Sequence, residues 1–301
     1  MYDHLNTLSP RPVLATPSAT RAVLERHGIH ARKKYGQNFL IDASVIEESI
    51  EAAGITKEDC VLEIGPGIGS MTQLLSRAAG RVVCVEIDTS LEPVLADTLA
   101  DCDNVTILWQ DILKTDLRAL CEEYNGGRPM KVAANLPYYV TTPILMELLS
   151  QKGCFSSITV MVQKEVADRI RSGPDTKEYG ALSLAVQYYA KPEIVTQVGA
   201  HAFFPRPNVD STVLCLRAYE TPPVEADERF LFALIRAAFN QRRKTLANAL
   251  SHGFRYEDRT LTREEVTQAL RALGLSETIR GEALSLEQFA ALSRELASGQ
   301  A

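Results

Sequence analysis

The stretch Cys60-Val61-Leu62-Glu63-Ile64-Gly65-Pro66-Gly67-Ile68-Gly69 joins an apolar run to three alternating glycines. Its first five residues are typical of a buried strand, and residues 71–78 have the pattern of a helix. Glycines let the backbone pass close to a ligand, and a helix start offers free N–H groups and positive potential. The GxGxG spacing differs from the GxGxxG of dinucleotide folds. The stretch therefore predicts a ligand-binding loop, with a plain tight turn as the alternative.

Short apolar runs alternate with amphipathic runs on either side of this stretch, from about residue 60 to residue 165. This alternation predicts an α/β fold, a mostly parallel sheet with helices on both faces. Beyond the first strand and helix, the expected strands are 81–85, 105–109, 131–134 and 157–162, and the expected helices are 91–99 and 143–149. A helix at 181–190 and two β-rich runs, 193–198 and 212–216, follow.

The character of the sequence changes after Tyr219, where Thr221-Pro222-Pro223 indicates a linker. Beyond it the pattern is helical, with Asp227 as the cap of a helix over 228–239 and capping boxes at Thr262 and Ser285. Residues 1–17 contain three prolines and predict a loose arm, followed by a short helix at 20–27. We expect three parts: an N-terminal arm (1–30), an α/β domain (31–220) and a small all-helical domain (221–301).

Composition excludes several classes of protein. The chain is 46% hydrophobic and 23% charged, as globular proteins are, and no apolar run is long enough to span a membrane. The first thirty residues lack the pattern of a secretory signal, so the expected location is the cytoplasm. The six cysteines form no CxxC pair, which predicts mostly buried, reduced thiols. Histidines are few, and we expect no metal site.

The net charge of −6 disfavours a nucleic-acid-binding protein, but positive charge is concentrated in two segments. Residues 1–36 carry six basic and two acidic side chains, and residues 229–250 carry five basic side chains and no acid. Because local potential steers a polyanion, these segments predict RNA binding. The alternatives are a solvated face and, for the second segment, a tie between domains. The candidate RNA-binding residues are Arg32, Lys33, Lys34, Arg242, Arg243 and Lys244.

Acidic residues follow the second and third predicted strands. Glu86, 21 positions after Gly65, can accept hydrogen bonds from both hydroxyls of a ribose. Asp111 can accept one from the amino group of an adenine. Because the carboxyl ends of parallel strands meet at one edge of a sheet, the glycines and both acids are expected in one crevice. The pattern favours an adenosine-containing cofactor over two solvated acids.

The fourth predicted strand ends in Asn135-Leu136-Pro137-Tyr138. An exocyclic amine on a base is a poor nucleophile because its lone pair is delocalised into the ring. The side-chain oxygen of Asn135 and the backbone carbonyl of Leu136 or Pro137 can bind its hydrogens and turn its lone pair toward the cofactor, without a general base. Tyr138 offers an aromatic face to the base, worth ~1–3 kcal/mol. The tetrapeptide therefore predicts a methyltransferase rather than a dehydrogenase, with a plain turn as the alternative.

Taken together, these motifs resemble the small-subunit ribosomal RNA adenine dimethyltransferase family, of the KsgA type. The resemblance runs in order from about residue 30 to about residue 295, and only the first thirty residues lie outside it. The matching segments, besides Glu86 and Asp111, are residues 34–40 (KYGQNFL), 63–69, 135–138, 203–211 (FFPRPNVDS), 242–246 (RRKTL) and 284–289 (LSLEQF).

The resemblance implies a Rossmann-like fold that binds S-adenosylmethionine, and it implies roles for particular residues. Asn38 and Leu40 would contact the cofactor from the N-terminal side. Gly65 would contact its methionine part, and Glu86 its ribose. Asp111 would contact its adenine, and Asn135 would lie at the methyl-transfer centre. Phe203 would stack on the target adenine opposite Tyr138, and Phe204 beside it is easily confused with it.

The implied reaction is dimethylation of two adjacent adenosines in the hairpin loop near the 3′ end of small-subunit (16S) ribosomal RNA. We expect a monomer that acts during small-subunit biogenesis and uses no metal. The nearest alternative is an antibiotic-resistance methylase of large-subunit ribosomal RNA, against which Leu136 and residues 209–211 and 284–289 argue. The other alternative is a non-catalytic ribosome-assembly factor, which would be marked by loss of Glu86, Asn135 or Tyr138.

Overall fold

The computed structural model describes residues 12–29 and 37–298. In chain order the elements are α1 (Pro17–Arg26), β1 (Phe39–Leu40), α2 (Ala43–Ala53), β2 (Cys60–Ile64), α3 (Ser70–Ala78), β3 (Arg81–Glu86), α4 (Glu92–Thr98), β4 (Val105–Trp109), α5 (Leu117–Asn125), β5 (Met130–Asn135), α6 (Thr141–Ser150), β6 (Phe155–Gln163), α7 (Lys164–Arg171), α8 (Ala181–Tyr189), β7 (Ala190–Val198), β8 (Phe203–Phe204), β9 (Ser211–Ala218), α9 (Glu228–Asn240), α10 (Leu246–Gly253), α11 (Arg263–Ala272) and α12 (Leu286–Ser298).

Seven strands form one sheet in the order β4-β3-β2-β5-β6-β9-β7. Strands β4, β3, β2, β5 and β6 run parallel, and β9 lies antiparallel between β6 and β7. All five residues of β2 are buried, which explains why four of them are apolar and why apolar and polar residues do not alternate. The loops after β2, β3 and β5 open side by side at one edge. The predicted fold class, a mostly parallel sheet flanked by helices, is confirmed.

The predicted caps of the C-terminal helices are confirmed. Asp227 accepts a hydrogen bond from the backbone N–H of Phe230 at 2.7 Å, and Thr262 forms a reciprocal capping box with Glu265 at the start of α11. These helices form one apolar core, which also contains Tyr179, Leu184 and Tyr188 from α8 and the loop before it. The C-terminal helices therefore pack directly on the sheet domain.

The N-terminal segment differs from the expectation of a loose arm. Leu14 and Ala15 are buried, and the backbone N–H of Leu14 donates to Oε1 of Gln73 at 3.0 Å. Helix α1 begins at Pro17 with Thr16 as its cap, not near residue 20. This segment is held in place by apolar packing, because Leu14 and the buried face of α1 pack against the core beside α4. Residues 1–11 and 30 of the expected arm lie outside the described residues.

All six cysteines are free, and five of them are buried, as expected; Cys102 is half-buried. Within residues 12–29 and 37–298, no helix combines the length and apolar character needed to cross a membrane.

Candidate active site

A cavity opens where β2, β3 and β5 end. It collects nine of the ten residues expected to bind the cofactor or the reacting base, which come from segments far apart in the sequence. Those lining it are Asn38, Leu40, Gly65, Glu86, Asp111, Asn135, Leu136, Pro137 and Tyr138. Phe203 is the residue that the structure does not bring to the cavity lining.

The glycine loop between β2 and α3 needs left-handed backbone at each glycine. The φ angles of Gly65, Gly67 and Gly69 are +68°, +60° and +89°. A Cβ on Gly67 would lie 3.3 Å from the ring of Phe39, so a larger residue would be strained and crowded there. Gly65 and Gly67 both line the cavity, and the loop leads directly into the N-terminus of α3. These positions favour the ligand-binding interpretation over a plain turn.

Glu86 ends β3 as a buried carboxylate, 5% exposed. Its Oε1 accepts a hydrogen bond from the backbone N–H of Asp88 at 2.8 Å, and its Oε2 accepts one from Gly67 at 3.4 Å. Burial raises its pKa, and the backbone N–H groups act in the opposite direction. The carboxylate is thus fixed between the glycine loop and the next strand end, where it can accept from ribose hydroxyls.

Asp111 and Ile87 complete this side of the cavity. Oδ1 of Asp111 accepts from the backbone N–H of Leu113 at 3.0 Å, which caps a short helical turn. Ile87 lines the cavity although 48% of it is exposed. An exposed apolar side chain between two acids suits the flat face of an adenine with polar groups at its edges. The sequence reasoning missed Ile87, and the signal was an apolar residue directly after the acid that ends a strand.

Glu63 is a second buried carboxyl beneath the glycine loop. It is 2% exposed, lines the cavity and accepts a hydrogen bond from the thiol of Cys84 at 3.5 Å. Burial raises its pKa from 4.5 to about 7. Because the neutral form is favoured in a site with so little solvent, Glu63 is protonated over most of the acidic range.

Asn135 is held in a defined orientation. Its Nδ2 donates to the backbone carbonyl of Asn38 at 3.0 Å, which leaves the amide oxygen as the acceptor for a substrate amine. The Pro137 carbonyl accepts from the backbone N–H of Val140 at 3.1 Å and from Oγ1 of Thr141 at 3.0 Å. Neither of these bonds goes to the carbonyl of Leu136. The geometry therefore favours Leu136 over Pro137 as the second acceptor.

Tyr138 and the motif at 203–211 meet in the structure. The hydroxyl of Tyr138 and Oγ of Ser211 are 2.8 Å apart, and burial raises the pKa of the tyrosine. Phe203 pairs with Leu40 between β8 and β1, and it is only 3% exposed within the same apolar core. Phe204 is 40% exposed because successive residues of a strand face opposite sides. In this conformation the ring of Phe203 does not face the cavity.

The predicted basic cluster at residues 242–244 divides in two. Nε of Arg242 binds Oε2 of Glu282 at 2.5 Å, and its NH2 group donates to the carbonyl of Thr176 at 3.0 Å. Arg243 and Lys244 are exposed, and no carboxylate among the described residues pairs with them. The other three predicted cations, Arg32, Lys33 and Lys34, lie outside the described residues.

A family model described as ribosomal RNA adenine dimethylase matches residues 28–292. The chain belongs to the ribosomal RNA adenine dimethylase family. It is 56% identical to "Ribosomal RNA small subunit methyltransferase A" of Lachnoclostridium phytofermentans over 93% of this chain and 96% of that protein. It is 47% identical to the protein of the same name from Alkaliphilus metalliredigens, over 95% and 99% of the two chains.

Solved structures show the same fold. The dimethyladenosine transferase of Plasmodium falciparum is similar with a TM-score of 0.71 and 24% identity, covering 86% of this chain and 97% of that one. The 23S rRNA methyltransferase ErmE is similar with a TM-score of 0.64 and 26% identity, covering 87% and 100%. As a member of the adenine dimethylase family, the protein is an enzyme that transfers methyl groups from S-adenosylmethionine to adenine.

The cavity residues fit S-adenosylmethionine. Gly65 leaves space, since a Cβ there would meet no atom within 4 Å, and Glu86 supplies a buried acceptor at the end of β3. Asp111 adds an acceptor at the end of β4. Among residues 12–29 and 37–298, no group of three or more His, Cys, Asp and Glu side chains is arranged to hold a metal ion.

Proposed function

We propose that this protein dimethylates the exocyclic amino groups of two adjacent adenosines in the 3′-terminal hairpin loop of small-subunit (16S) ribosomal RNA. The observation that carries the proposal is the Asn135 amide, whose nitrogen is held by the Asn38 carbonyl, in a cavity that is also lined by Leu136 and Glu86. The small subunit is favoured because the relatives at 56% and 47% identity are named ribosomal RNA small subunit methyltransferase A.

S-adenosylmethionine supplies an electrophilic methyl group when bound. Glu86 would hold its ribose, and its carboxylate is already fixed by the N–H groups of Gly67 and Asp88. Asp111 would accept from the adenine amino group, and Gly65 would line the methionine part. Asn38 and Leu40 would close the cavity from the N-terminal side, where β1 pairs with β8.

Two acceptors would activate the target amine. Oδ1 of Asn135 and the carbonyl of Leu136 each bind one N–H of the adenine amino group. This draws the nitrogen toward tetrahedral geometry and directs its lone pair at the methyl group. The amine loses its proton only after transfer, when the nitrogen is cationic, so no side chain has to remove it beforehand. These interactions strengthen as charge develops on nitrogen, and they therefore favour the transition state.

Stacking would hold the target base. Tyr138 lines the cavity, and its hydroxyl is fixed by Ser211, so its ring offers a face of defined orientation. Phe203 remains the predicted second aromatic wall, although its buried position requires a rearrangement of β8, and Phe204 is the exposed alternative. Phe203→Leu, compared with Phe204→Leu, separates the two. The stacking residue should lose methylation rate at unchanged melting temperature, and a core residue should lose melting temperature at unchanged rate.

A large-subunit adenine methylase is the second candidate, and the likeness to ErmE over 100% of that chain is what favours it. Mass spectrometry of ribosomal RNA from cells lacking this protein decides between them. We expect dimethyladenosine to disappear from the 3′ hairpin of small-subunit RNA and to return with the wild-type protein. Loss from large-subunit RNA instead would support the second candidate.

The same cells test a purely structural role in assembly. Complementation with Asn135→Ala should leave the two adenosines unmethylated. The variant is compared with the wild-type protein for its ability to restore subunit maturation. If the unmethylating variant restored maturation as fully as the wild-type protein does, the non-catalytic alternative would be favoured. Action as a monomer, on precursor subunits in the cytoplasm where ribosomes are assembled, belongs to the same proposal.

A further inference from the structure

Exposed apolar side chains occur in the cavity lining and on segments next to it. Ile87 and Tyr139 line the cavity, and Leu113 follows the lining residue Ile112. Phe204 and Val209 belong to residues 203–211, whose last member, Ser211, binds Tyr138. In the part of the chain that the structure describes, the exposed large apolar side chains are Ile87, Leu113, Tyr139, Ile194, Phe204, Val209 and Tyr219. Two of these seven therefore line the cavity itself, and three more lie on segments that also carry residues in contact with its lining.

Tyr139 is the most exposed of them, at 63%. It directly follows Tyr138 in a turn closed by the hydrogen bond from Val140 to Pro137, so its backbone position is fixed. Its hydroxyl has no hydrogen-bond partner among residues 12–29 and 37–298, whereas the hydroxyl of Tyr138 binds Ser211. Hydrogen bonding within residues 12–29 and 37–298 thus does not account for a tyrosine at this place.

We propose that Tyr139 is a stacking platform for the base next to the target adenosine. This inference rests on the proposed function, in which two adjacent adenosines enter the cavity in turn. While one base lies against Tyr138, its neighbour has left the helical stack and needs a new apolar surface. Tyr139 is one residue away from Tyr138 and presents such a surface at the cavity rim.

An aromatic face suits this task because it accepts any base and any degree of methylation. Stacking on a side chain uses the π-face that every base has and requires no fixed hydrogen-bond pattern. The neighbour of the target is an unmodified adenosine in one round and a methylated one in another. A platform of hydrogen-bond acceptors would lose its N–H partners once the amino group is dimethylated, whereas a ring would not.

The test compares Tyr139→Ala with Tyr139→Phe, and uses Tyr219→Ala as a matched control at an exposed tyrosine elsewhere. The substrate is purified small ribosomal subunit lacking dimethyladenosine, with S-adenosylmethionine.

Tyr139→Ala should raise KM for the subunit roughly tenfold, the change expected for loss of one stacked base. Mass spectrometry should also show product in which one adenosine is dimethylated and its neighbour is not. Tyr139→Phe and Tyr219→Ala should match wild type, and calorimetry should show unchanged cofactor affinity in all three.

The opposing outcomes are distinct. If wild type methylates the subunit and Tyr139→Ala has the same KM and products, Tyr139 is not a platform, while the proposed function stands. If Tyr139→Phe is as impaired as Tyr139→Ala, the hydroxyl and not the ring acts, and the inference is wrong. If wild type does not methylate the subunit at all, the proposed function fails and this inference fails with it.

Discussion

The cavity and the basic segment 229–250 differ in how distance along the sequence relates to distance in the structure. At the cavity, residues as distant as Asn38 and Asn135 are joined by a 3.0 Å hydrogen bond, because Asn135 ends the central strand β5 and Asn38 directly precedes β1. In the basic segment, three consecutive cations separate: Arg242 binds Glu282, while Arg243 and Lys244 extend into solvent. Sheet topology places strand ends together whatever their spacing, but a shared charge does not give neighbouring side chains a shared partner.

Among variants of the cavity, Asn135→Ala is expected to have the largest effect on the methylation rate. Loss of a preorganised acceptor for the amine should lower the single-turnover rate by on the order of 10²–10³ at saturating cofactor. The affinity for S-adenosylmethionine should change much less, since the amide oxygen is proposed to bind the substrate amine. Near-normal single-turnover methylation would break the proposal that this residue activates the amine.

Glu63 tests the electrostatics beneath the glycine loop. Its pKa is raised to about 7 in the fold, against 4.5 for an ordinary glutamate. The folded state therefore binds more protons than the unfolded state between these values, and stability should fall as pH rises from about 4.5 to about 7. Glu63→Gln should remove this dependence and raise the unfolding free energy at pH 8 by up to about 3 kcal/mol.

Urea unfolding at pH 5 and pH 8 measures the effect, and Glu92→Gln serves as the control, because Glu92 is exposed on the neighbouring helix α4. Equal pH dependence in wild type and Glu63→Gln would show that the buried carboxyl is ionised in the native protein at low cost.

Glu86→Ala tests whether the strand ends bind the cofactor as one site. Losing hydrogen bonds to a charged acceptor costs ~1.5–3 kcal/mol each, so affinity for S-adenosylmethionine should fall at least about tenfold. Calorimetry measures the dissociation constant directly. Circular dichroism checks that the variant still folds without the hydrogen bond from Gly67 in the glycine loop to Glu86. Unchanged affinity in a folded variant would remove Glu86 from the site.

The basic segment offers the smallest and most discriminating comparison. Arg243→Gln with Lys244→Gln should weaken RNA binding and reduce the salt slope by ~0.7–0.9 for each lost phosphate contact, at constant melting temperature. Arg242→Gln should lower the melting temperature, and Glu282→Gln should reproduce that loss because it removes the same ion pair. If Arg242→Gln instead reduced the salt slope with no effect on melting, all three cations would act on RNA together.

The sequence was sufficient to predict the main parallel strands and the polar residues at their ends, because both depend on local patterns. The boundaries of β2 and β4 agree with the apolar runs, and Glu86 and Asp111 lie at or just after the ends of β3 and β4, as predicted. Helix α2 was missed although Asp42 caps it and Gly54 ends it in the left-handed region. Its amphipathic pattern is short, and its buried face is defined by contacts with strands far along the chain.

Side-chain direction was the part that the sequence could not supply. The family resemblance favoured Phe203 over Phe204 as the ring that stacks on the target adenine, but Phe203 packs against Leu40 and Phe204 faces outward. Likewise, the partner of Arg242 lies 40 residues further on, at Glu282, beyond any local pattern. Both depend on tertiary contacts between segments whose relative placement emerges only from the folded chain.

The apolar core shared between α8 and the C-terminal helices sets a rule for exchanging parts between members of this family. A cut at the proline-rich linker near residue 222 would leave Tyr179, Leu184 and Tyr188 facing a foreign partner. Chimeras joined there would have to match the outward side of α8 to the incoming helices. Because Leu182 and Val186 of α8 also belong to the core of the sheet, α8 has to stay with the sheet. A graft that recodes only the positions of α8 that face the C-terminal helices would keep both of its interfaces.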